Sequence, residues 1–283
     1  MQNTVIVKNS IVGMEFLLCA IALVTIFLHS FSPFTFKKAA VNDVIVFVEP
    51  DQTEEAAEEE EVLSKVEAVP ENDAGAVAVP EPGIRDLKEI EKMKRDWRIM
   101  LINRDHFLPT DYESDLKSLS ASVRVDERIA DDLKDMIKAA ADDGITLQIV
   151  SGYRSYDRQT ALFQRKMKRY MSQGMSYSQA HSEVTKVLSV PGSSEHQAGL
   201  AVDIVSSNYR SLTEGFADTE AGKWLAKNCA DYGFILRYPK DKEEVTGIIF
   251  EPWHFRYVGK EYAGEIMGEG ITLEEYLQEK GVY

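Results

Sequence analysis

The alternation of apolar and polar residues indicates a folded domain from about residue 88 onward. Residues 126–144 read DERIADDLKDMIKAAADDG, and one face carries apolar side chains at helical spacing: Ile129, Leu133, Met136, Ile137 and Ala140. We expect Asp126 to cap the start of this helix and Gly144 to end it. The next segment, ITLQIVS, alternates as a strand does and leads into GYRSYDRQ.

Further helices and strands follow without a regular order. A long polar helical region is expected to run to about residue 189, and residues 218–233 predict another helix with Asp218 as its cap and Gly233 as its end. Short strands are expected at FILRY and TGIIFEPWHFRYV, and a capping box at 272–275 predicts a last helix. Because strands and helices do not alternate, the pattern favours the α+β class, with a small antiparallel sheet flanked by helices.

The beginning of the chain has a different pattern. Residues 11–35 are predominantly apolar and long enough to cross a bilayer, with Glu15 and His29 near its two interfaces. We therefore expect an uncleaved transmembrane anchor after a cytoplasmic N-terminus of residues 1–10. A cleaved signal peptide is the alternative, although Pro33 is poorly placed for cleavage. The flanking positive charges are nearly balanced and do not set the orientation.

Residues 36–88 have the composition of a disordered linker. They are rich in Glu, Ala, Val and Pro and include the run EEAAEEEE, so like charges repel and few large apolar groups are available for a core. The formal charge of the chain is −15, and the first 90 residues hold 6 Lys and Arg against 16 Asp and Glu. The folded domain is expected at 89–283. Its acidic balance gives no support to nucleic-acid binding, and the distant pair Cys19 and Cys229 implies no disulfide framework.

Two of the five histidines, His196 and His254, have acidic neighbours and lie at the ends of apolar runs. The stretch SSEHQAGLAVDI places Asp203 inside such a run, where a lone carboxylate is costly unless a cation compensates it. His196, Asp203 and His254 would supply the three protein ligands of a catalytic zinc site and leave a fourth position to water. The spacing H-x6-D is no standard fingerprint, so capping or turn roles for these residues stay open.

Glu251 is a candidate general base because it lies three residues before His254 in EPWH. On a regular strand, residues three apart point to opposite faces and these two side chains would not converge. Pro252 normally marks a strand end or a bulge, and such a break would turn both side chains to one site. An ordinary surface glutamate at a strand end is the alternative.

Three stretches, SGYRSYDRQ, SSEHQAGLAVDI and EPWHFRYVG, together resemble the zinc D-alanyl-D-alanine and L,D-carboxypeptidases of the VanY type, peptidase family M15. Enzymes of this family trim the stem peptides of peptidoglycan. The family pattern is S-x-H-x6-D followed by E-x-x-H, and this chain fits it with Ser194, His196, Asp203, Glu251 and His254. The resemblance covers roughly residues 95–282 and nothing before them.

The resemblance implies a single zinc ion held by His196, Asp203 and His254, with Glu251 as the general base that takes a proton from the attacking water. The bond before a terminal D-alanine would then be hydrolysed. Whether the substrate is a pentapeptide, cleaved in D,D fashion, or a tetrapeptide, cleaved in L,D fashion, stays open.

Four other residues gain roles from the resemblance. Arg154 is implied as a catalytic residue that stabilises developing negative charge or holds an anionic group of the peptide, which suits the fixed fork of a guanidinium. Gln159, Ser194 and Trp253 are implied as substrate-binding residues. Without the motif, a structural ion pair would be the simpler interpretation of Arg154.

The architecture that follows is a single-pass protein of the cell membrane, because an enzyme of the cell wall must act outside the bilayer. We expect an extracellular catalytic domain, attached through the N-terminal helix and acting as a monomer on peptidoglycan stem peptides. Two alternatives stay open: an endopeptidase that cuts cross-bridges, and a non-catalytic wall-binding module. The presence of both Glu251 and Arg154 argues against the wall-binding module.

Overall fold

The computed structural model describes residues 87–109 and 111–283. The helices are α1 (Leu87–Lys94), α2 (Ala130–Asp142), α3 (Tyr156–Ser172), α4 (Tyr177–Val187), α5 (Glu220–Asn228), α6 (Glu243–Thr246), α7 (Lys260–Glu269) and α8 (Leu273–Glu279). The strands are β1 (Leu116–Ser118), β2 (Arg124–Asp126), β3 (Leu147–Ser151), β4 (Ala201–Ser206), β5 (Phe234–Leu236) and β6 (His254–Tyr257).

A four-stranded sheet in the order β3-β4-β6-β5 forms the centre of the fold, and each neighbouring pair is antiparallel. Strands β1 and β2 form a separate antiparallel pair. The predicted α+β class with a small antiparallel sheet is therefore confirmed. Every residue of β4 is buried, because this strand is covered on both faces and has a strand on each side.

The periodicity of residues 126–144 predicted α2 correctly. The Asp126 side chain accepts a hydrogen bond from the backbone nitrogen of Arg128 at 2.9 Å and starts a short 3₁₀ turn that leads into the helix. The predicted apolar face is buried, and Gly144 follows the helix with a φ of +81°. This face packs on the sheet in the largest apolar cluster of the described residues, which includes Leu133, Ile149, Val202 and Phe255.

Three predictions along the chain need correction. The long helical region is two helices, α3 and α4, which pack on each other. The cap of α5 is Thr219 and not Asp218, because Thr219 has the extended backbone of a cap and its hydroxyl accepts from the Gly222 nitrogen at 3.0 Å. The strand expected from residue 246 begins only at His254, since a turn at Pro252 precedes it.

Two glycines allow close backbone contacts beside the sheet. A Cβ atom on Gly152, just after β3, would lie 2.3 Å from the carbonyl oxygen of Arg124. Gly199 has a φ of +70°, and a Cβ there would lie 2.8 Å from the backbone nitrogen of Asp126. The first close approach holds the end of β3 against β2, and the second holds against β2 the segment before β4, which carries His196.

The predicted N-terminus (1–10), anchor (11–35) and all but the last residues of the linker (36–88) lie outside the described residues, as does Cys19. Within 87–109 and 111–283, no helix combines the length and apolar character needed to cross a bilayer. Cys229 is a buried free thiol whose pKa is raised to about 12 by burial. Thr272 and Glu275 form the predicted capping box at the start of α8.

Candidate metal centre and active site

Three buried side chains from separate parts of the chain converge at the centre of the sheet. His196 lies in the 3₁₀ turn Glu195–Ala198, Asp203 is the third residue of β4 and His254 is the first residue of β6. Asp203 pairs directly with His254 across the two strands. One ligand atom from each of the three residues lies within 4.8 Å of the other two. This arrangement is compact enough to hold one metal ion.

The surroundings of His196 orient its ring for metal binding. Its Nδ1 lies 2.7 Å from the carbonyl oxygen of Gly152. Because a carbonyl oxygen only accepts, Nδ1 carries the proton and Nε2 presents a lone pair. Nε2 is buried and has no hydrogen-bond partner among the described residues, although it lies 3.3 Å from Oδ2 of Asp203. A buried polar atom without a partner is costly, and a metal ion at this point would satisfy it.

The ring of His254 lies between two carboxylates. Its Nδ1 is 3.1 Å from Oδ1 of Asp203 and 3.7 Å from Oε2 of Glu251. Its Nε2 is 3.4 Å from Oε2 of Glu195. Burial alone would lower the pKa of His254, but the hydrogen bonds to Asp203 and Glu195 outweigh it and raise the pKa to about 9. A metal ligated by Nδ1 would take the place of the proton on that nitrogen.

The electrostatics of the other two donors also suit a cation. Burial, aided by the positive charge of Arg154, lowers the pKa of His196 to about 4, so this imidazole is neutral at pH 7. Burial opposes the charge on Asp203, but the two imidazoles outweigh it and hold the pKa of this carboxyl well below its usual value. The cluster therefore offers one carboxylate and a neutral imidazole around a buried point.

Glu251 lies beside the metal donors because of a tight turn. The backbone nitrogen of His254 donates to the carbonyl oxygen of Glu251 at 3.1 Å, and Pro252 occupies the second position of this turn, where proline is favoured. The strand begins only after the turn, so the alternation that would separate the two side chains does not apply. Burial raises the pKa of Glu251 to about 7, and His254 opposes the rise. A base of this strength suits proton transfer near neutral pH.

Arg154 lies at the edge of the centre and is fixed by three side chains. Its Nη2 donates to Oδ2 of Asp203 at 3.2 Å, its Nη1 to Oε1 of Gln159 at 2.9 Å and its Nε to Oγ of Ser151 at 3.2 Å. Gln159 is fully buried and donates to the carbonyl oxygen of Ser189 at 2.6 Å. The predicted pair thus lies together, with Gln159 supporting the guanidinium from behind.

The other two residues predicted to bind substrate, Ser194 and Trp253, are close neighbours of the metal-binding histidines in the sequence. Ser194 precedes the 3₁₀ turn of His196 and is buried. Trp253 occupies the turn before His254 and packs into the large apolar cluster under the sheet. The residue is 8% exposed, so only a small part of it can contact a ligand.

Sequence analysis missed the groups behind the metal donors. Glu195 contacts His254 and forms salt bridges with two fully buried arginines, Arg237 and Arg256. These three residues lie in the stretches SSEH, FILRY and HFRY, of which the first and last also carry the metal-binding histidines. A signal was present, because Arg256 stands two residues after His254 on a strand and therefore faces the same side.

Comparisons with known proteins agree with this geometry. The sequence model of the VanY family, described as D-alanyl-D-alanine carboxypeptidase, matches residues 122–260. A D-alanyl-D-alanine carboxypeptidase of Enterococcus faecalis is 41% identical over 184 residues, which are 65% of this chain and 67% of the relative. The chain belongs to the VanY family. The matched region includes each residue that the sequence motifs assigned to the site.

Two solved structures resemble this VanY-family chain closely. One is a mutant of the vancomycin resistance D,D-pentapeptidase VanY in complex with Zn(II), which is 41% identical with a TM-score of 0.59 and covers 64% of this chain and 99% of its own. The other is the LD-carboxypeptidase LdcB, which is 42% identical with a TM-score of 0.56 and covers 63% of this chain and 85% of its own. The structures that this chain resembles thus include a D,D-pentapeptidase and an LD-carboxypeptidase.

Proposed function

We propose that this chain is a zinc-dependent carboxypeptidase that releases the terminal D-alanine from peptidoglycan stem peptides. The observation that carries the proposal is the buried cluster of His196, Asp203 and His254, in which Nε2 of His196 has no hydrogen-bond partner within the described part of the chain. Membership of the VanY family and the zinc complex of a close structural relative support the choice of metal and reaction.

The donor set fits zinc. Two neutral imidazoles and one carboxylate are ligands that Zn²⁺ prefers, and catalytic zinc sites use three protein ligands and keep one position open. We assign these roles to His196, Asp203 and His254. When bound, zinc supplies Lewis-acid chemistry: it polarises a carbonyl group and makes water more acidic.

Glu251 is assigned the proton transfers. Its Oε2 atom lies 3.7 Å from Nδ1 of His254, so the carboxylate stands beside the metal donors and is not itself needed as one. It takes a proton from the attacking water and then gives it to the nitrogen of the departing D-alanine. Burial raises the pKa of Glu251 to about 7. Because this value is near neutral pH, the carboxyl group can both accept and release a proton under the same conditions, which favours both transfers.

Arg154 is assigned to the negative charge of the substrate. Its side chain is 16% exposed and its guanidinium is held in place by Ser151 and Gln159, so it reaches the site with little freedom to move away. A fixed guanidinium can stabilise the oxygen that becomes negative during the attack, or hold a substrate carboxylate. Ser194 and Trp253 are proposed as walls of the substrate pocket.

For the whole chain we propose a monomeric, single-pass membrane protein with an extracellular enzyme domain at 89–283. The support is the apolar segment 11–35 and the acidic, proline-containing linker 36–88, which would let the domain reach the wall. The peptidoglycan substrate requires the domain to be outside the cell.

The test is digestion of purified muropeptides by the zinc-loaded full chain, followed by mass spectrometry. Separate substrates end in a pentapeptide or a tetrapeptide stem, and a third is a cross-linked dimer. Loss of one D-alanine from either stem is the expected result and also decides between D,D and L,D specificity. Conversion of the dimer to monomers without release of alanine would instead assign an endopeptidase. Binding to sacculi without any released product would assign a wall-binding module.

A further inference from the structure

Glu195 is a buried carboxylate that the roles assigned above do not use. It directly precedes His196 in the same 3₁₀ turn, and its side chain is 0% exposed. Its Oε2 atom lies 3.4 Å from Nε2 of His254. One turn of the chain therefore supplies the first imidazole of the metal centre and a partner for the second.

Two buried arginines hold the other oxygen of Glu195. Oε1 accepts from Nε of Arg237 at 2.6 Å and from Nη1 of Arg256 at 2.9 Å. Arg237 directly follows β5, the edge strand that pairs with β6, and Arg256 lies two residues beyond His254 on β6, the neighbour of β4. Because the arginines occupy Oε1, Oε2 is left to face His254.

The two carboxylates and two arginines around Glu195 have a net charge of zero without any contribution from His254. Glu274 of α8 accepts from both terminal nitrogens of Arg237, at 2.8 and 2.6 Å. Two carboxylates and two guanidinium groups thus lie together, all of them buried except Glu274, whose side chain is 13% exposed, and the cluster needs no positive imidazolium for balance. What Glu195 can offer His254 is a hydrogen-bond acceptor, since an ionised carboxylate cannot donate.

We propose that Glu195 is a positioning residue of the metal centre, which keeps the proton of His254 on Nε2 and so turns the lone pair of Nδ1 toward the metal. This inference rests on the zinc site of the proposed function. His196 is held in the opposite sense, because the carbonyl oxygen of Gly152 keeps its proton on Nδ1. The two imidazoles therefore present different nitrogens to the metal. Hydrogen-bonded partners of this kind fix the tautomer of a ligating histidine and raise metal affinity.

The first test uses the unchanged protein. The full chain, labelled with ¹⁵N and loaded with zinc, is examined by long-range ¹H–¹⁵N correlation spectra of its histidine rings. We expect His254 to show a proton on Nε2 and metal ligation at Nδ1, and His196 to show the reverse. Ligation of His254 through Nε2, or loss of the proton from that nitrogen, would overturn the proposal.

The second test compares two Glu→Gln variants of the same network. Glu195→Gln removes the acceptor that faces His254, whereas Glu274→Gln removes a charge at the far side of Arg237, away from the metal donors. In competition with a chelator, Glu195→Gln should bind zinc about 10- to 100-fold more weakly, and Glu274→Gln should stay within about threefold of the unchanged chain. Circular dichroism and melting temperatures show whether each variant folds.

Equal losses of zinc affinity in both variants would reduce Glu195 to a structural role, and an unchanged affinity in Glu195→Gln would contradict the proposal directly. If Glu195→Gln does not fold, the ring spectra of the unchanged chain decide alone. Both readouts are made without substrate. A chain that binds zinc as described but releases no D-alanine contradicts the proposed function only, and an active enzyme with His254 ligated through Nε2 contradicts this inference only.

Discussion

Asp203 lies directly opposite His254 in the antiparallel pairing of β4 and β6, and its Oδ1 is 3.1 Å from Nδ1 of the imidazole. The register of two strands thus brings together donors that are 51 residues apart in the chain. A shift by one residue would move every side chain of β4 to the other face of the sheet. The pairing register of β4 and β6 therefore fixes the relative positions of these two metal donors.

Replacement of this carboxylate should remove the metal. In Asp203→Asn the side chain keeps its size but loses the charge that faces two imidazoles and Arg154. We expect zinc affinity to fall by more than about 100-fold. Loss of a residue that only hydrogen-bonds to a metal ligand lowers the affinity by at most about 100-fold, so a larger loss indicates a ligand. Zinc retained after dialysis against a chelator is the measurement. Asp132→Asn is the matched control, because Asp132 bonds Tyr257 and Lys260 and none of the three donors. Similar zinc retention in both variants would refute the ligand assignment.

Glu251→Gln should separate catalysis from metal binding. The amide cannot accept the proton of the attacking water, but it fills the same space beside His254. Loss of a positioned base costs about 10²- to 10⁴-fold in rate, so release of D-alanine should fall by that factor while zinc content stays unchanged. Glu183→Gln, in a surface ion pair of α4, is the control and should keep full activity. An active Glu251→Gln variant would show that another group moves the proton.

The site residues could be predicted because their signals are local in the sequence. His196 and Asp203 lie within one motif of twelve residues, and Glu251 and His254 within another of four. The turn at Pro252 was also foreseeable, since proline interrupts a strand. Periodicity was sufficient for α2, whose apolar face is continuous over the whole helix.

The supporting network could not be predicted because it depends on strand order. Glu195 meets Arg237 and Arg256 only when β6 lies between β4 and β5, and these arginines are 42 and 61 positions away from it in the sequence. The composition of a strand does not reveal its neighbours. The error of one residue at the cap of α5 has a different cause, because Asp218 and Thr219 are both good caps and only the backbone conformation selects between them.

Gly152 should tolerate no side chain. A Cβ there would lie 2.3 Å from the carbonyl oxygen of Arg124, which belongs to the backbone and cannot turn away. The carbonyl oxygen of Gly152 also accepts from His196, so any shift disturbs the metal centre. We expect Gly152→Ala to destabilise the fold by about 1–3 kcal/mol and to weaken zinc binding.

Gly264 provides the opposite control for this substitution. It lies in the exposed face of α7 with no atom within 4 Å of an added Cβ. Since alanine is the better helix former by about 1 kcal/mol, Gly264→Ala should raise the stability without changing zinc affinity. Denaturant unfolding and chelator competition measure the two quantities for both variants. A stable Gly152→Ala variant with normal zinc affinity would contradict the close approach of Gly152 to the Arg124 carbonyl oxygen of β2.

Acid should weaken the link between α8 and the sheet. Burial opposes the charge on Glu274, but Arg237 outweighs it and lowers the pKa of the carboxyl from its usual value of 4.5. The folded protein then binds this proton less readily than the unfolded chain does. The stabilisation is complete above pH 4.5 and is lost as the pH falls through the lower, folded pKa.

Glu274→Gln should remove this dependence, since the amide does not titrate. The difference in melting temperature between the unchanged chain and the variant is expected to stay constant above pH 4.5 and to narrow below it. Both proteins are measured with a chelator present, so that release of zinc in acid does not contribute. A difference that widens as the pH falls would mean that the Glu274 carboxyl is stabilised in its protonated form, contrary to its two short bonds with Arg237.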